Sequence, residues 1–304
     1  MVQIAETLND GGAHADIYGL QSRPLDFYDA VMHFSVQAEG WAFFEAVNRT
    51  RTPILLWPNV WWRSTPDPKE IERIKLFIDC AHKVLFKSYA EKKNFEQHVQ
   101  VPQDKSLVIP ICVSQRFAAT PDLELARTLC ETNEYVLCLG RVEPVKNQLN
   151  LIRAIKQLGM RGVLVGGHHD ADYFNRCKME GEGFIEFLPF VKPCSHLLIS
   201  LLAASHIVAE PCLDPAGRSS LEAAQVNKPL VLSADDWVDE YFGDTVYKAD
   251  PASVESIVDA LRGAAADVAA GGRASLAHDR IALKHASEEA VHKFVTNIID
   301  ACDA

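Results

Sequence analysis

Short runs of consecutive apolar residues, separated by stretches in which apolar positions recur every three or four residues, set the rhythm of this chain. Early on, DAVMHF (29–34), PILLW (53–57) and HKVLF (82–86) read as buried strands, and PKEIERIKLFIDC (68–80) as an amphipathic helix. After VIPICV (108–113) the rhythm restarts with strands YVLCLG (135–140), GVLVGG (162–167), FIEFLPF (184–190), HIVAEP (206–211) and PLVLS (229–233). Helices NQLNLIRAIKQLG (147–159), HLLISLLAAS (196–205) and RSSLEAAQVN (218–227) fall between them, and a long helical stretch starts at 252. Strands that are apolar throughout are buried on both faces, which helices on a parallel sheet provide, so the alternation predicts two doubly wound α/β domains. The polar patch SQRFAATPDLELARTLCETN (114–133) is the expected linker. Such sheets bind ligands beyond the carboxyl ends of their strands, so the loops at 140–146, 167–170, 189–193, 211–218 and 233–236 are expected on one rim.

Composition narrows the partners. A chain of 304 residues exceeds what one core organises, in keeping with two domains. A formal net charge of -11 excludes non-specific nucleic-acid binding, which needs a surplus of Lys and Arg, so an anionic ligand must meet a local site. The opening MVQIAETLNDGG lacks a basic start followed by an apolar run, and no stretch is long and apolar enough to span a bilayer. Eight cysteines without a C-x-x-C pair read as buried reduced thiols, and together these features predict a cytoplasmic protein.

The chemistry concentrates at two loops. Strand YVLCLG ends at Gly140, followed by Arg141 and, five residues later, by Lys146 at a helix start. Arginine offers a planar fork of donors, lysine a point charge, and a helix start its unpaired N–H groups, a set that suits a diphosphate; a solvated surface pair is the other reading. In EPCLDPAGRSSLEAAQ, Asp214 and Glu222 straddle the turn Pro215-Ala216-Gly217, whose N–H groups, with those from Arg218 onward, can face phosphate or sugar oxygens. Carboxylates so placed accept hydrogen bonds from hydroxyls. His168, His169 and Asp170 are adjacent on a loop and point in different directions, so no metal is expected. Trp57 reads as core; Trp61 and Trp62 suit either core packing or stacking on a sugar or lipid-linked acceptor. In HKVLFKSYAEKKNFEQH (82–98), Lys83, Lys87, Lys92 and Lys93 interleave with Phe86, Tyr89 and Phe95, which fits a solvated face or weak attachment to anionic headgroups.

With those residues in view, the chain resembles the retaining glycosyltransferases of family four, which have the GT-B fold. LGRVEPVKNQLNLIRAI is similar to that family's Gly-Arg-x4-Lys-Asn stretch, DPAGRSSLEAA to its Glu-x7-Glu stretch, NKPLVLS to the strand that follows, and VIPICVSQRF to the segment closing the N-terminal domain. The resemblance implies two Rossmann-like domains facing a cleft: a shortened N-terminal acceptor-side domain over 1–125, a nucleotide-sugar domain over 126–277, and C-terminal helices over 278–304 crossing back to the first. It implies transfer of a sugar from a UDP- or GDP-sugar to the hydroxyl of a saccharide, a lipid-linked glycan or a small molecule, without a cofactor or metal, in the cytoplasm or at the inner face of the membrane.

By the same resemblance Gly140, Arg141, Lys146 and Asn147 hold the donor diphosphate, Glu222 its ribose and Asp214 the transferred sugar, so that Arg141, Lys146 and Asp214 are the catalytic set. Groups around Ala216, Gly217, Arg218, Ser219 and Leu221 assist. Leu188, Pro189 and Phe190 correspond to the base-binding loop, and Asn59, Trp61 and Trp62 to the acceptor side. Three departures stand out: Asp214 in place of a Glu, Asn59 where relatives carry a His, and the short N-terminal domain. They leave two alternatives open, a nucleotide-sugar epimerase and a non-catalytic nucleotide-sugar-binding subunit.

Overall fold

The computed structural model describes residues 1–130, 134–268 and 272–303. The end of the expected linker (131–133), three positions of the long helical stretch (269–271) and Ala304 lie outside the described residues. The chain divides into two compact units, each built on a parallel sheet.

The first unit runs α1 (Val2–Asp10), β1 (Val31–Phe34), α2 (Trp41–Thr50), β2 (Ile54–Trp57), α3 (Pro68–Cys80), β3 (Lys83–Phe86), α4 (Tyr89–Glu96) and β4 (Ser106–Val108). Its strands lie in the order β1-β2-β3-β4. Helix α3 starts where the sequence sets a cap: the Asp67 carboxylate accepts from Lys69 N at 2.8 Å, and Pro68 occupies the first helical position, where no N–H is needed. Phe44, Phe77, Phe86 and Phe95 are wholly buried, with Phe44 and Phe77 edge to face at 4.8 Å. The run VIPICV supplies only Val108 to a strand. Pro110 lacks the N–H that a ladder needs, so Ile109, Ile111 and Val113 are buried from a loop.

The second unit runs α5 (Leu123–Arg127), β5 (Val136–Leu139), α6 (Gln148–Gln157), β6 (Gly162–Val165), α7 (Ala171–Gly181), β7 (Ile185–Leu188), α8 (His196–Ala204), β8 (Ile207–Glu210), α9 (Arg218–Gln225), β9 (Leu230–Ser233), α10 (Asp236–Phe242), β10 (Tyr247–Ala249), α11 (Val254–Val268) and α12 (Gly272–Ile281). All pairings are parallel, in the order β10-β9-β8-β5-β6-β7. Strands β5, β6, β8 and β9 are buried at every position, as their unbroken apolar runs require, and α6 and α11 pack over them.

A last helix, α13 (Glu288–Asp303), belongs to the first unit, where the Cys112 thiol meets Ala290 O at 3.5 Å. The second unit spans Val113–Ser287, so the boundaries fall at 112/113 and 287/288, and not at 125/126 and 277/278. Contacts explain the shift: Val113 N donates to His285 O at 2.8 Å, Arg280 donates to the carbonyls of Tyr241 and Glu240 at 2.6 and 3.1 Å, and the His285 ring stacks on Tyr241.

Candidate functional site

In the second unit the chain order reverses between β5 and β8. From β5 successive strands step outward through β6 and β7; from β8 they step the other way through β9 and β10. Loops leaving the carboxyl ends of β5 and β8 therefore part to opposite sides and open a crevice, the usual ligand position in such sheets. Both loops singled out from the sequence sit here.

The β5 loop begins at Gly140, whose φ of +126° favours glycine and whose N–H donates to Val165 O at 3.0 Å. Beyond it Arg141 is exposed, with Nη1 3.6 Å from the Glu143 carboxylate, and its carbonyl accepts from the Gln148 side chain at 2.8 Å. Pro144–Lys146 forms one turn of 3-10 helix, and Asn147, left-handed at φ 57°, turns the chain into α6. Asn147 Nδ2 donates to the carbonyls of Pro211 and Pro251 at 2.9 and 2.8 Å. What Asn147 does here is bind the β5 loop to the β8 loop. A backbone bond from Leu213 N to Val145 O at 2.8 Å joins the same two loops.

The β8 loop leaves from Glu210, a charged end to an otherwise apolar strand and only 1% exposed. Its carboxyl accepts hydrogen bonds from the Ser219 side chain and Gly217 N–H and faces Lys146, while its Oε1 is buried without a hydrogen-bond partner among the described residues. Burial pushes Glu210 above the usual carboxylate range against these three favourable contacts, and the charge of Glu222 adds to the push. Helix α9 starts at Arg218 after Gly217 and is held by Ser220, whose hydroxyl donates to Gly217 O at 2.7 Å. Ala216 and Leu221 are buried, as is Glu222, while Asp214, Gly217, Arg218 and Ser219 are half-buried.

Lys146 is where the two loops meet electrostatically. Burial alone would lower its pKa, but the electrostatic influence of Cys212, Glu210, Asp214 and Cys138 together outweighs that and raises it above its ordinary value. Burial likewise drives the Cys212 thiol up to about 12 and Cys138 well above its usual range. Arg141 and Lys146, with the first turn of α9 nearby, form a cationic end to an acidic crevice, and this can accept a diphosphate between charge-assisted donors.

The other expected positions fall as follows. Leu188 ends β7 and its carbonyl accepts from Gly166 N at 3.0 Å; Pro189 and Phe190 follow, and Phe190 is 69% exposed at the same strand ends. His168 stacks on Phe174 at 3.8 Å, and Asp170 caps α7 by accepting from Tyr173 N at 2.9 Å. Within the first unit, Asn59 is exposed and left-handed at φ 53° after β2, and Trp61 is half-buried. Trp62 packs into the core: its backbone exchanges hydrogen bonds with the Asn94 side chain at 2.7 and 3.0 Å, and its ring lies against Phe95 and His98. In the basic stretch Phe86 and Phe95 are buried, Lys83 donates to Asp104 O, and Lys87 and Lys92 pair with Glu91 and Glu96. Among the described residues no helix is long and apolar enough to cross a membrane. Glu210 was not among the sequence candidates; a lone acid closing a strand otherwise apolar was the signal for it.

Residues 126–269 match the family described as glycosyl transferases group 1. No curated protein matches the chain in sequence. Among solved structures, the chain is similar to sucrose-phosphate synthase from Thermosynechococcus elongatus (TM-score 0.74, 17% identity, over 90% of this chain and 73% of that one). It is also similar to HepE from Anabaena in complex with UDP and glucose (TM-score 0.74, 18% identity, 91% and 78%) and to a glycosyltransferase from Rickettsia africae (0.71, 15%, 99% and 87%). The second unit thus carries a group 1 glycosyltransferase domain, and the two-sheet architecture is that of the GT-B glycosyltransferases.

Proposed function

We propose that this glycosyltransferase takes a UDP-sugar and transfers the sugar, with retention of anomeric configuration, to a hydroxyl of a saccharide or lipid-linked acceptor. The observation that carries this reading is the convergence of Arg141 and Lys146, from the end of β5, with the first turn of α9, from the end of β8, at the point where strand order reverses. The diphosphate would lie between them. UDP is favoured over GDP because HepE, of like fold, was solved with UDP and with UDP-glucose.

Arg141 and Lys146 would take up the negative charge that grows on the departing diphosphate, so their contribution is larger in the transition state than in the ground state. The bond from the anomeric carbon to the diphosphate oxygen breaks as the acceptor oxygen bonds to that carbon from the same face, and the acceptor's proton passes to the departing oxygen. With the cations in that role, no metal is needed. Glu222 accepts from the ribose hydroxyls and Asp214 from the sugar hydroxyls, both as binding groups, while Phe190 and the Leu188-Pro189 segment meet the base. Asn147 contributes by holding the two loops together.

The test is the shift of the thermal midpoint with UDP, GDP and ADP, with and without magnesium, on the native protein and Lys146→Ala. At a hundredfold excess over Kd a ligand adds about 2.7 kcal/mol of stability. For a domain of this size that is a rise of roughly 5–11 °C. The expected result is such a rise with UDP, indifferent to magnesium and lost in Lys146→Ala. A rise with none of the three nucleotides would overturn the reading.

A further inference from the structure

We infer that Gln148 is a positioning residue of the diphosphate site, holding the root of Arg141 where the β5 loop enters the crevice. This inference rests on the diphosphate assignment just proposed.

Gln148 is the first residue of α6 and only 1% exposed. A primary amide is costly to bury unless both its ends are bonded. Here both are: Nε2 donates to Arg141 O at 2.8 Å, and Oε1 accepts from Glu143 N at 3.3 Å. A peptide group of a neighbouring parallel strand bonds in the same way, donating to one residue and accepting from the residue two places on. Between those two positions Val142, itself buried, faces the other side. Its N–H donates to Gly167 O at 2.8 Å, and it pairs in parallel with His168 beyond the end of β6. Gln148 therefore extends the sheet by one side-chain amide and pins Arg141, Val142 and Glu143 between itself and the β6 end. The exposed guanidinium of Arg141 swings from a fixed root.

Lys146 has a separate mooring. Leu213 N donates to Val145 O at 2.8 Å, and Asn147 Nδ2 reaches the Pro211 and Pro251 carbonyls. Loss of the Gln148 amide thus frees Arg141 while the turn bearing Lys146 stays tied to the β8 loop. The residue type matters as well. An amide of this length offers a donor and an acceptor together, whereas methionine fills a similar space with almost no hydrogen-bonding capacity.

The experiment is a double-mutant cycle. UDP affinity is measured by calorimetry at neutral pH on the native protein, Gln148→Met, Arg141→Ala and the doubly substituted protein, with thermal midpoints alongside. In the native background Gln148→Met is expected to weaken UDP by about five- to tenfold, as for lost hydrogen bonds that place a charged contact. With Arg141 already replaced, the same change is expected to cost less than about twofold, because its effect runs through that arginine. The fall in midpoint is expected to be alike in both backgrounds. A merely structural glutamine weakens UDP by the same factor in both backgrounds, or lowers the midpoint and leaves affinity untouched; either result overturns the inference. If Arg141→Ala binds too weakly to measure, uridine, which lacks both phosphates, is compared with UDP on the native protein and Gln148→Met by ligand-observed NMR. A loss confined to UDP supports the inference, and equal losses overturn it. If Gln148→Met does not fold, Gln148→Asn carries the cycle, since an amide shorter by one methylene cannot keep both bonds: a loss that depends on Arg141 supports the inference, and an independent loss or none overturns it. Native protein that binds no UDP removes the diphosphate site, and the inference with it. Native binding weakened by Arg141→Ala but unchanged by Gln148→Met removes the inference alone.

Discussion

Gly166 offers a sharp check on how the crevice is built, because the end of β6 comes against the end of β5 there. A methyl group on Gly166 would lie 2.0 Å from the Gly140 carbonyl oxygen, 2.6 Å from its carbon and 3.3 Å from Arg141 N, whereas side-chain carbons essentially never approach within 3.0 Å. Relief requires the Gly140-Arg141 backbone to retreat by about 1 Å. Overpacking of this kind costs about 1–3 kcal/mol. In a domain of this size that lowers the thermal midpoint by roughly 2–12 °C. The element displaced is also the start of the loop carrying Arg141 and Lys146, and a misplacement of about 1 Å in a site can cost about a hundredfold in rate. Gly167 is the internal control, with nothing within 4 Å of an added methyl, so Gly167→Ala should stay within about 0.5 kcal/mol of the native protein. Urea denaturation followed by circular dichroism gives the stabilities and calorimetry gives UDP affinity. Equal behaviour of the two alanine variants in both assays would refute the claim that glycine at 166 sets the position of the β5 loop.

Two further outcomes test other parts of the molecule. Asn147→Ala removes both side-chain bonds to the Pro211 and Pro251 carbonyls, and at about 1–3 kcal/mol for a buried group left unpaired it should lower stability and UDP affinity together. An unchanged thermal midpoint would mean that the loops are tied elsewhere. His33 lies among the rings of Phe43, Phe44 and Phe77, and burial holds its pKa below the ordinary 6.5, only partly opposed by a backbone hydrogen bond at Ser35. The unfolded chain takes up that proton first, so the associated stability is present above about pH 6.5 and is lost as pH falls toward the folded-state value. Thermal midpoints from pH 7.5 to 5 should therefore decline less steeply in His33→Gln, and parallel declines would refute this.

The strands of the second unit were legible because burial on both faces leaves no polar position to interrupt them; YVLCLG, GVLVGG and PLVLS each hold a strand buried throughout. Helix α7 was not read, since the face it buries is Tyr173, Cys177 and Gly181, none of which marks an apolar stripe. Helix α10 escaped for another reason: seven residues are too few to show a period, although Trp237, Val238, Tyr241 and Phe242 are all buried. The same contrast holds in the site. Arg141, Lys146, Asp214 and Glu222 are recognisable by residue type and spacing, but the bonding of Asn147 to two distant carbonyls depends on pairing of strands far apart in sequence. Glu210 was passed over although HIVAEP already put it near a strand end, because only the fold shows that this end is buried.

Helix α13 has a consequence for how the protein is made. The first unit is interrupted by the whole of the second and is completed only by the segment from Glu288 onward. At its other end α1 packs so closely on α13 that a methyl at Gly11 would lie 2.4 Å from Val295 Cγ2. Helix α1 therefore waits for α13, which is made only after the whole of the second unit. During synthesis the second unit can fold on an unbroken stretch of chain while the earlier-made half still exposes the surface that α13 covers, an inversion of the usual N-terminal-first order.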